Sequence, residues 1–495
     1  MQFATGVACN VVILHLCLFL SLTHASPLPI RNITIEGNTR TRTEVIQREL
    51  LFQSGEPLDT LKIIETERNL RRLFFLGDVR INVQSDSTHA NITVHVRDLY
   101  ARALSPQLSG ESGELSYGLV ALDFNFLGRG QILAITGNHD AITGNSANIH
   151  YQNPRLNGSR KSLITRIGIA DEGHDFRFVL SQSFYTLDTP WAYGIGINSK
   201  EQIRRRYTNQ TLSDRYTDRT DTGDLWLFYS KGDRLKVRPH IILNIDDQQF
   251  APTAGYTYAP KDRRRVRLVA GLSLWHPQYE QKQFIRELDR IEDLQIGSSA
   301  SIRVGLSHKT LGSDRNFLST SIQLRPRFKF YDNGYAFLSL FYRTSITQDN
   351  TFDRFFQADL LAIAQINTIH TFAFHARFDA HGNPEDNDQL LLGLNRGLRG
   401  YLPRRFDGTR RAIFNLEARP TFYRHPFAIL AGAFFLDAGT AWTPNRTSPD
   451  FNFGAGLGTR ISFTQVYNNP ILRTDLAYGF KDRAWQISFS IGHYF

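Results

Sequence analysis

The chain has 495 residues, 21% of them charged, and a formal net charge of +10. Its mean hydropathy is −0.31. Beyond the amino terminus there is no run of about 18 or more apolar residues, which excludes helical membrane spans. The only cysteines are Cys9 and Cys17. A chain without cysteine beyond that point has no disulfide framework and no cysteine metal site there.

The amino-terminal segment has the features of a secretory signal. Residues Val11 to Leu22 are almost all apolar, and this run is too short to span a bilayer as a helix. Thr23-His24-Ala25 then precedes a change in composition. We predict a signal peptide over residues 1–25. No Lys or Arg occurs before Arg31, so the cleavage site itself stays open.

Residues 29–98 have the pattern of a compact unit of order β-α-α-β-β. The elements are an alternating strand from Ile30 to Ile35, a helix capped by Thr43, a helix from Asp59, and strands Val79–Gln84 and Asn91–Val96. The buried side of the second helix is expected to comprise Leu61, Ile64, Leu70, Leu73 and Phe74. A unit of about 70 residues can form one small core.

This unit resembles a POTRA domain, the polypeptide-transport-associated module found in front of outer-membrane assembly barrels. The resemblance rests on Ile35-Glu36-Gly37-Asn38 after the first strand, on Gly55 between the helices, and on the run from Leu70 to Val79. Only one such unit fits before the rest of the chain. The resemblance implies a domain that lies in the periplasm.

From Leu99 to Phe495 the chain consists of short alternating segments separated by Gly, Asn, Asp and Pro. The clearest are Gln131–Thr136, Leu163–Ile169, Val237–Leu243, Arg265–Leu274, Phe337–Tyr342 and Thr371–Phe378. At about 25 residues per strand and connection, residues 99–495 accommodate roughly 16 antiparallel strands. We predict an all-β transmembrane antiparallel barrel, preceded by the small α+β POTRA domain. Half of each strand then faces a polar lumen, which suits the low hydropathy.

The last predicted strand runs into the carboxy terminus. Its large side chains Trp485, Ile487, Phe489, Ile491 and Phe495 fall on one face. A final strand of this kind closes the sheet against the first strand and presents apolar groups to lipid. The terminal aromatic resembles the signal that the outer-membrane assembly machinery reads. We therefore expect Phe489, Ile491 and Phe495 to form a carboxy-terminal assembly signal.

A polar stretch from about His381 to Arg411 is too long for a simple hairpin connection. It contains Leu398, Arg399, Gly400 and Tyr401 in succession. This tetrapeptide resembles the hydrophobic-Arg-Gly-aromatic motif in the sixth extracellular loop of the outer-membrane insertase superfamily, which contains BamA, TamA and the two-partner secretion transporters. The resemblance implies a loop that folds back into the lumen.

An arginine inside a barrel needs carboxylate partners, because an unpaired charge away from water is costly. Phe435, Asp437 and Gly439 match the Phe-x-Asp-x-Gly strand motif of the same superfamily. Glu417 lies in the preceding strand, nearly opposite Phe435, and alternation directs Glu417 and Asp437 to the lumen. We predict that Arg399 locks the loop, with Glu417 and Asp437 as its acceptors. The alternative is a set of separate, solvated lumen charges.

The resemblance implies assembly, insertion or translocation of polypeptides at the outer membrane, by strand addition to a POTRA or barrel edge. The expected partners are outer-membrane lipid and lipopolysaccharide, an unfolded or secreted polypeptide client, and a periplasmic partner at the POTRA domain. No nucleic acid partner is expected. The basic excess suits anionic headgroups, but it could equally line a polar lumen.

Two other classes stay open. One is an outer-membrane channel or binding barrel without insertase activity, and the other is the barrel partner of a patatin-type system. The principal insertase has five POTRA units where this chain has one, and the second unit and plug helix of a two-partner transporter are missing. The sequence contains no nucleophile motif, no phosphate-binding loop and no metal-ligand spacing. We therefore expect neither enzyme activity nor a cofactor or metal.

Overall fold

A computed structural model describes residues 28–495 with the exception of 112–113, 209–210, 289, 368, 386–388, 395, 447 and 467–469. The predicted signal peptide lies outside the described residues. Among the residues described, none of the helices has the length and apolar character needed to cross a membrane.

The amino-terminal unit is a three-stranded sheet with two helices. Its elements are β1 (Ile30–Glu36), α1 (Thr43–Gln47), α2 (Thr60–Arg71), β2 (Leu76–Ser85) and β3 (Ala90–Asp98). The strand order is β1-β3-β2, with β1 parallel and β2 antiparallel to β3. Strands and helices together bury one apolar core, which includes Ile30, Ile46, Leu70, Leu76 and Val94. This is the predicted element order.

The two helices begin differently. Asp59, where the second helix was predicted to begin, caps α2, because its carboxylate accepts a hydrogen bond of 2.8 Å from the backbone N–H of Leu61. Thr43 is the first residue of α1 and not its cap. The residue before it, Arg42, makes no side-chain capping bond. A five-residue helix is held by its packing on the sheet and needs no cap of its own.

The predicted buried face of α2 is wrong by part of a turn. Leu70 is fully buried as expected, but three of the predicted core residues are exposed, with fractions of 77% for Leu61, 49% for Ile64 and 41% for Phe74. The face against the sheet instead carries Ile63, Thr66 and Leu70. Both sets have helical spacing, so periodicity alone could not separate them.

The remainder of the chain forms a closed antiparallel barrel. Its first ten strands are β4 (Arg102–Glu111), β5 (Glu114–Phe126), β6 (Gln131–Asp140), β7 (Gly144–Asn153), β8 (Lys161–Ala170), β9 (Gly173–Gln182), β10 (Trp191–Thr208), β11 (Thr211–Tyr229), β12 (Lys236–Pro252) and β13 (Arg263–Trp275). A separate hairpin follows, made of β14 (Tyr279–Lys282) and β15 (Glu292–Gln295). Single 3₁₀ turns occur at Leu156–Gly158 and Lys309–Leu311.

The barrel continues after this hairpin. The next strands are β16 (Ser299–Ser307), β17 (Phe317–Arg325), β18 (Arg327–Tyr331), β19 (Gly334–Ile346), β20 (Thr351–Gln365) and β21 (Thr371–Gly382). A second separate hairpin consists of β22 (Leu390–Leu392) and β23 (Phe406–Gly408). The last barrel strands are β24 (Arg410–Arg419), β25 (Thr421–His425), β26 (Ala428–Trp442), β27 (Asn452–Phe463), β28 (Ile471–Gly479) and β29 (Ala484–Ile491).

The barrel has more strands than predicted. Pro326 interrupts one strand between β17 and β18, and Pro420 interrupts another between β24 and β25. With each of these pairs counted once, the described part of the barrel has twenty strands, against the prediction of about 16. The prediction assumed about 25 residues per strand and connection. Several connections are much shorter, such as residues 171–172 between β8 and β9.

Side chains alternate between the two faces of the barrel wall. Leu225, Leu227 and Ile241 point outward with exposures of 50%, 46% and 56%. Asp224 on β11 and Asn244 on β12 are paired positions that face inward, and the Asn244 amide donates a hydrogen bond of 2.8 Å to the Asp224 carboxylate. An apolar exterior around a polar lumen is the pattern of a barrel surrounded by lipid. All six alternating segments named from the sequence lie within strands.

The carboxy-terminal strand is shorter than predicted. β29 ends at Ile491, and Gly492 adopts a left-handed conformation with φ of +91°. This turn directs the last residues into the lumen and breaks the alternation. The prediction that Phe495 faces outward is therefore wrong.

The POTRA-like unit rests against connections at one end of the barrel, here called the near end. Arg155 donates to the Glu49 carboxylate at 2.8 Å, and the Tyr185 hydroxyl donates to the Glu49 carbonyl oxygen at 2.8 Å. Burial raises the pKa of Tyr185 to about 12, so this hydroxyl stays a donor at neutral pH. Arg160 donates to the carbonyl oxygen of Arg48 at 2.8 Å.

We predict that residues 29–98 fold as an independent soluble domain with its own cooperative unfolding transition. Leu70→Ala should lower its free energy of unfolding by about 2–5 kcal/mol, since the side chain is fully buried. Leu61→Ala is the matched control and should change it by less than about 0.5 kcal/mol. Urea unfolding followed by circular dichroism measures both. A fragment without a cooperative transition would show that its core depends on the barrel.

Candidate functional site

The connection between β21 and β24, residues 383–409, folds into the lumen and is called the lumen loop. Arg399 lies within it and is 0% exposed. Gly400 has φ of +87°, and a Cβ there would lie 2.7 Å from the backbone of Tyr478. Only glycine allows the loop to approach the wall this closely.

The predicted lock residues lie together. Arg399 forms a two-pronged pair with Asp437, in which Nε donates to Oδ2 at 2.7 Å and Nη2 donates to Oδ1 at 2.8 Å. Its Nη1 donates to Oε1 of Glu417 at 2.5 Å. All three side chains are 0% exposed. The alternative of separate, solvated charges does not fit these contacts.

The surrounding charges were not identified from the sequence. The Asp475 carboxylate lies 3.4 Å from Arg399 and accepts a hydrogen bond of 2.6 Å from Arg460. Arg419 donates to Glu417 at 2.7 Å. These residues occupy inward positions on β24, β27 and β28. Strand alternation, which directed Glu417 and Asp437 to the lumen, would have identified them too. Removing Arg399 takes the guanidinium away from buried Asp437, which is costly, whereas Glu417 keeps Arg419 and Asp475 keeps Arg460.

The other motif residues surround the same arginine. The Phe435 ring centroid lies 3.5 Å from the guanidinium carbon of Arg399. The Tyr401 hydroxyl donates to the carbonyl oxygen of Phe453 at 2.7 Å and accepts from the N–H of Lys481 at 3.2 Å. Tyr401 therefore fixes the loop to the β27 and β28 side of the wall.

Leu398 and Gly439 complete the seat of the loop. Leu398 is fully buried in an apolar cluster with Leu392 and Ile413. A Cβ on Gly439 would lie 3.1 Å from the Leu392 side chain. The glycine therefore leaves space for the loop residue that packs on it.

The carboxy-terminal tail, residues 492–495, contacts the lumen loop directly. The Tyr494 hydroxyl donates to the carbonyl oxygen of Leu394 at 2.7 Å and accepts from the N–H of Gly397 at 3.0 Å. The Tyr494 ring centroid lies 4.0 Å from the guanidinium carbon of Arg399. The alternating pattern did not predict this contact, because it indicated a strand that continues to the last residue.

The predicted assembly-signal residues are divided between the two faces. Phe489 is half-buried on β29, and Ile491 faces outward with an exposure of 61%. Phe495 instead stacks on His375 inside the barrel, with ring centroids 5.2 Å apart. Two of the three residues thus lie on the outward face of a strand, and one contributes to lumen packing.

The lumen loop has a second attachment, to β13 and to the connection before β17. The Glu385 carboxylate accepts hydrogen bonds from Arg263 at 2.6 Å, Arg265 at 2.5 Å and Arg315 at 2.6 Å. These arginines belong to β13 and to the connection before β17. No periodic pattern marks Glu385 in the sequence, because it follows Pro384 in an irregular segment. The loop is therefore held by charged contacts at two places, Glu385 and Arg399.

This arrangement suits holding a loop, because arginines bind the carboxylates around it. Glu417, Asp437 and Asp475 each accept a hydrogen bond from an arginine. Within the described ranges, no group of three or more His, Cys, Asp or Glu side chains is placed to hold a metal ion.

Residues 28–98 match the POTRA family model, described as surface antigen variable number repeat. This match confirms the resemblance inferred from the sequence, so these residues are a POTRA domain. No curated protein sequence matches the chain.

Similar solved structures include BamA from Haemophilus ducreyi lacking POTRA domains 1–3, at 14% identity over 94% of this chain and 84% of that chain, with a TM-score of 0.42. CdiB from Acinetobacter baumannii is 13% identical over 94% and 74%, with a TM-score of 0.47. CdiB from Escherichia coli is 11% identical over 94% and 76%, with a TM-score of 0.49.

We predict that Arg399→Ala leaves a folded barrel with a released lumen loop. Loss of one side of a buried charged pair costs about 3–5 kcal/mol, which is small beside the hydrogen bonds of the barrel wall. With Cys9 and Cys17 removed, Leu402→Cys should react more than about a hundredfold faster with a membrane-impermeant maleimide.

Arg405→Ala is the control for this experiment. Arg405 pairs with Asp482 at 2.9 Å, but both side chains are partly exposed at 30% and 24%. A pair of this kind is worth at most about 1 kcal/mol, so labelling should rise less than about fivefold. Heat-modifiable mobility on gels checks that each barrel is folded. Equal labelling of Arg399→Ala and the unchanged protein would contradict the lock.

We predict that Tyr494→Phe also loosens the loop. The ring keeps its place over Arg399, but Leu394 and Gly397 each lose a hydrogen-bond partner, at a cost of about 1–3 kcal/mol. Labelling at Leu402→Cys should rise by roughly 5-fold to 100-fold. Tyr478→Phe, on the outward face of β28, should have no effect. Equal increases in labelling in Tyr494→Phe and Tyr478→Phe would rule out a specific role for the tail.

Proposed function

We propose that this chain, a POTRA domain joined to an outer-membrane barrel of the insertase type, inserts or translocates polypeptides. Extended client segments bind at the POTRA domain and pass to the seam between the first and last barrel strands. The near end of the barrel then faces the periplasm, and the lumen loop connects strands at the extracellular end.

The observation that carries this proposal is the incomplete seam. β29 pairs with β28 at eight positions, but with β4 at only two, Ser488–Glu111 and Phe489–Gly110. β4 pairs with β5 at ten positions on its other side. Most backbone groups along the seam thus lack a strand partner within the described residues. Unpaired groups beside lipid are costly, and an incoming strand can satisfy them.

The POTRA domain lies beside this seam. Tyr100, between β3 and β4, donates its N–H to the carbonyl oxygen of Gln465 at 3.2 Å, in the connection between β27 and β28. Strand β2 forms an edge of the POTRA sheet, since the order is β1-β3-β2. A strand bound along β2 is therefore held close to the base of the seam, where β-augmentation can continue.

A channel or binding barrel without insertase activity is the competing function. A channel would need a permanent path through the lumen, whereas the lumen loop lies inside it and is held there by the ion pairs of Arg399 and Glu385. Accelerated insertion of a client, as opposed to ion conduction alone, separates the two functions. The barrel partner of a patatin-type system would behave as a client transporter in the same test.

We predict that fixing the seam stops client insertion. Gly110→Cys with Phe489→Cys places two cysteines opposite each other across β4 and β29. When oxidised, this protein in liposomes should insert an unfolded eight-stranded outer-membrane barrel no faster than protein-free liposomes. Reduction should restore the rate of the unchanged protein.

The matched control places a disulfide elsewhere in the wall. Ser199 and Asp221 face each other in the long ladder of β10 and β11. Ser199→Cys with Asp221→Cys should insert the client equally well when oxidised or reduced. If the oxidised seam variant still inserted the client, the seam would not be the path. If the unchanged protein conducted ions without inserting any client, the channel function would be favoured.

A further inference from the structure

The hairpin of β14 and β15, within residues 276–298, is called the periplasmic hairpin, and its tip enters the lumen. Phe284 and Ile285 near the tip are 4% and 1% exposed. Phe284 packs against Ile429 and Ile471, on β26 and β28. The hairpin itself arises between β13 and β16. Its tip therefore reaches across the near end of the lumen to the wall beside the seam.

Other contacts fix the tip as a plug. Ile285 packs in a second cluster with Tyr335 and Ile363, and Phe495 of the tail packs against the same cluster. The Thr371 hydroxyl donates to the carbonyl oxygen of Phe284 at 2.7 Å. The plug therefore contacts both the barrel wall and the carboxy-terminal tail.

The periplasmic hairpin is also tied to the POTRA domain. Arg71 at the end of α2 donates to Asp293 on β15 through Nε at 2.9 Å and Nη2 at 2.7 Å. Arg290 donates to the carbonyl oxygen of Arg71 at 2.7 Å. The Arg68 guanidinium carbon lies 4.3 Å from the ring centroid of Tyr279. The only ion pair among these three contacts between the POTRA domain and the periplasmic hairpin is the one between Arg71 and Asp293.

The same guanidinium is linked to the free edge of the POTRA sheet. Glu67 lies one turn before Arg71, and its Oε2 is 3.4 Å from Nη1 of Arg71. Its other oxygen, Oε1, accepts a hydrogen bond of 2.7 Å from the backbone N–H of Ile81 on β2. That N–H points away from β3. It is the group that a strand added beside β2 would need.

A cleft continues from this edge towards the plug. It is lined by Val79 and Arg80 at the start of β2 and by Arg290 and Ile291 at the tip of the periplasmic hairpin. A strand that pairs with β2 and extends into the cleft meets the tip directly.

We infer that a client strand on β2 releases the plug. The strand takes the Ile81 N–H from Glu67, and the displaced carboxylate competes with Asp293 for the guanidinium of Arg71. The tie between domain and hairpin weakens, and the tip leaves the lumen next to the seam. This inference rests on the proposed function and adds its regulation: client binding opens the near end of the barrel.

The experiment follows the plug in the full-length protein in liposomes, with Cys9 and Cys17 removed. Ile285→Cys is buried while the plug is in place, and it reacts with a water-soluble maleimide only after release. The probe client is a synthetic peptide of residues 484–495, which is itself a barrel strand and contains no cysteine. Fluorescence anisotropy measures peptide binding separately.

The peptide should accelerate labelling of Ile285→Cys by about tenfold or more, the effect expected from loss of a charge-assisted pair. Adding Glu67→Gln keeps an oxygen for Ile81 but removes the charge that competes for Arg71, so the peptide should bind without accelerating labelling. Asp293→Ala should give fast labelling without peptide. Exchange of both partners, Arg71→Asp with Asp293→Arg, should restore slow labelling.

Glu36→Gln is the matched control, because Glu36 forms an exposed pair with His95 on β3, away from the β2 edge. It should respond to the peptide like the unchanged protein. Peptide binding without faster labelling in the unchanged protein would overturn the inference and leave the proposed function standing. A Glu67→Gln protein that responds normally would overturn it too. Failure of the peptide to bind would count against both the plug-release inference and the proposed function.

Discussion

A guanidinium buried inside a barrel imposes strict conditions on everything around it. Arg399 is fully enclosed, so its charge must be balanced by groups already fixed in the wall. Glu417 and Asp437 are fixed because they lie on adjacent strands with a defined register. The register holds only if β24 and β26 pair along their full length. The position of one loop residue therefore depends on the pairing of β24 with β26.

The carboxy-terminal tail connects parts of the molecule that are far apart in the sequence. Tyr494 contacts the lumen loop, while Phe495 packs with the cluster that receives the periplasmic hairpin. Both residues follow directly from β29, the strand at the seam. Movement of β29 therefore changes the support of the loop and of the plug together. The lumen loop and the plug, which close the lumen at its two ends, therefore both depend on the position of the seam strand.

The period-two pattern predicted much of this structure. It located strands throughout the barrel, and it predicted that Glu417 lies nearly opposite Phe435, as the register shows. These successes have one cause, since alternation and register are local properties of a strand pair. The order of the POTRA elements was predictable for a similar reason, because its turns are coded by nearby residues, whereas the predicted cap Thr43 is the first residue of α1.

The failures concern properties that no short segment encodes. The number of strands depends on the lengths of many connections, and an average length gave too few. The path of Phe495 depends on one backbone conformation at Gly492. The attachment of Glu385 depends on arginines more than 60 residues away in the sequence. Such contacts become visible only when distant strands are placed around a common lumen.

The course of the tail also bears on how the protein is handled in the laboratory. Phe495 is stacked on His375 inside the barrel, and its carbonyl oxygen accepts a hydrogen bond of 3.3 Å from Arg419. An affinity tag or fluorescent protein fused to this end must either thread out of the lumen or pull the tail from its seat. A fusion at the carboxy terminus would then report on an altered barrel. A fusion on the amino-terminal side of the POTRA domain leaves this tail in its seat.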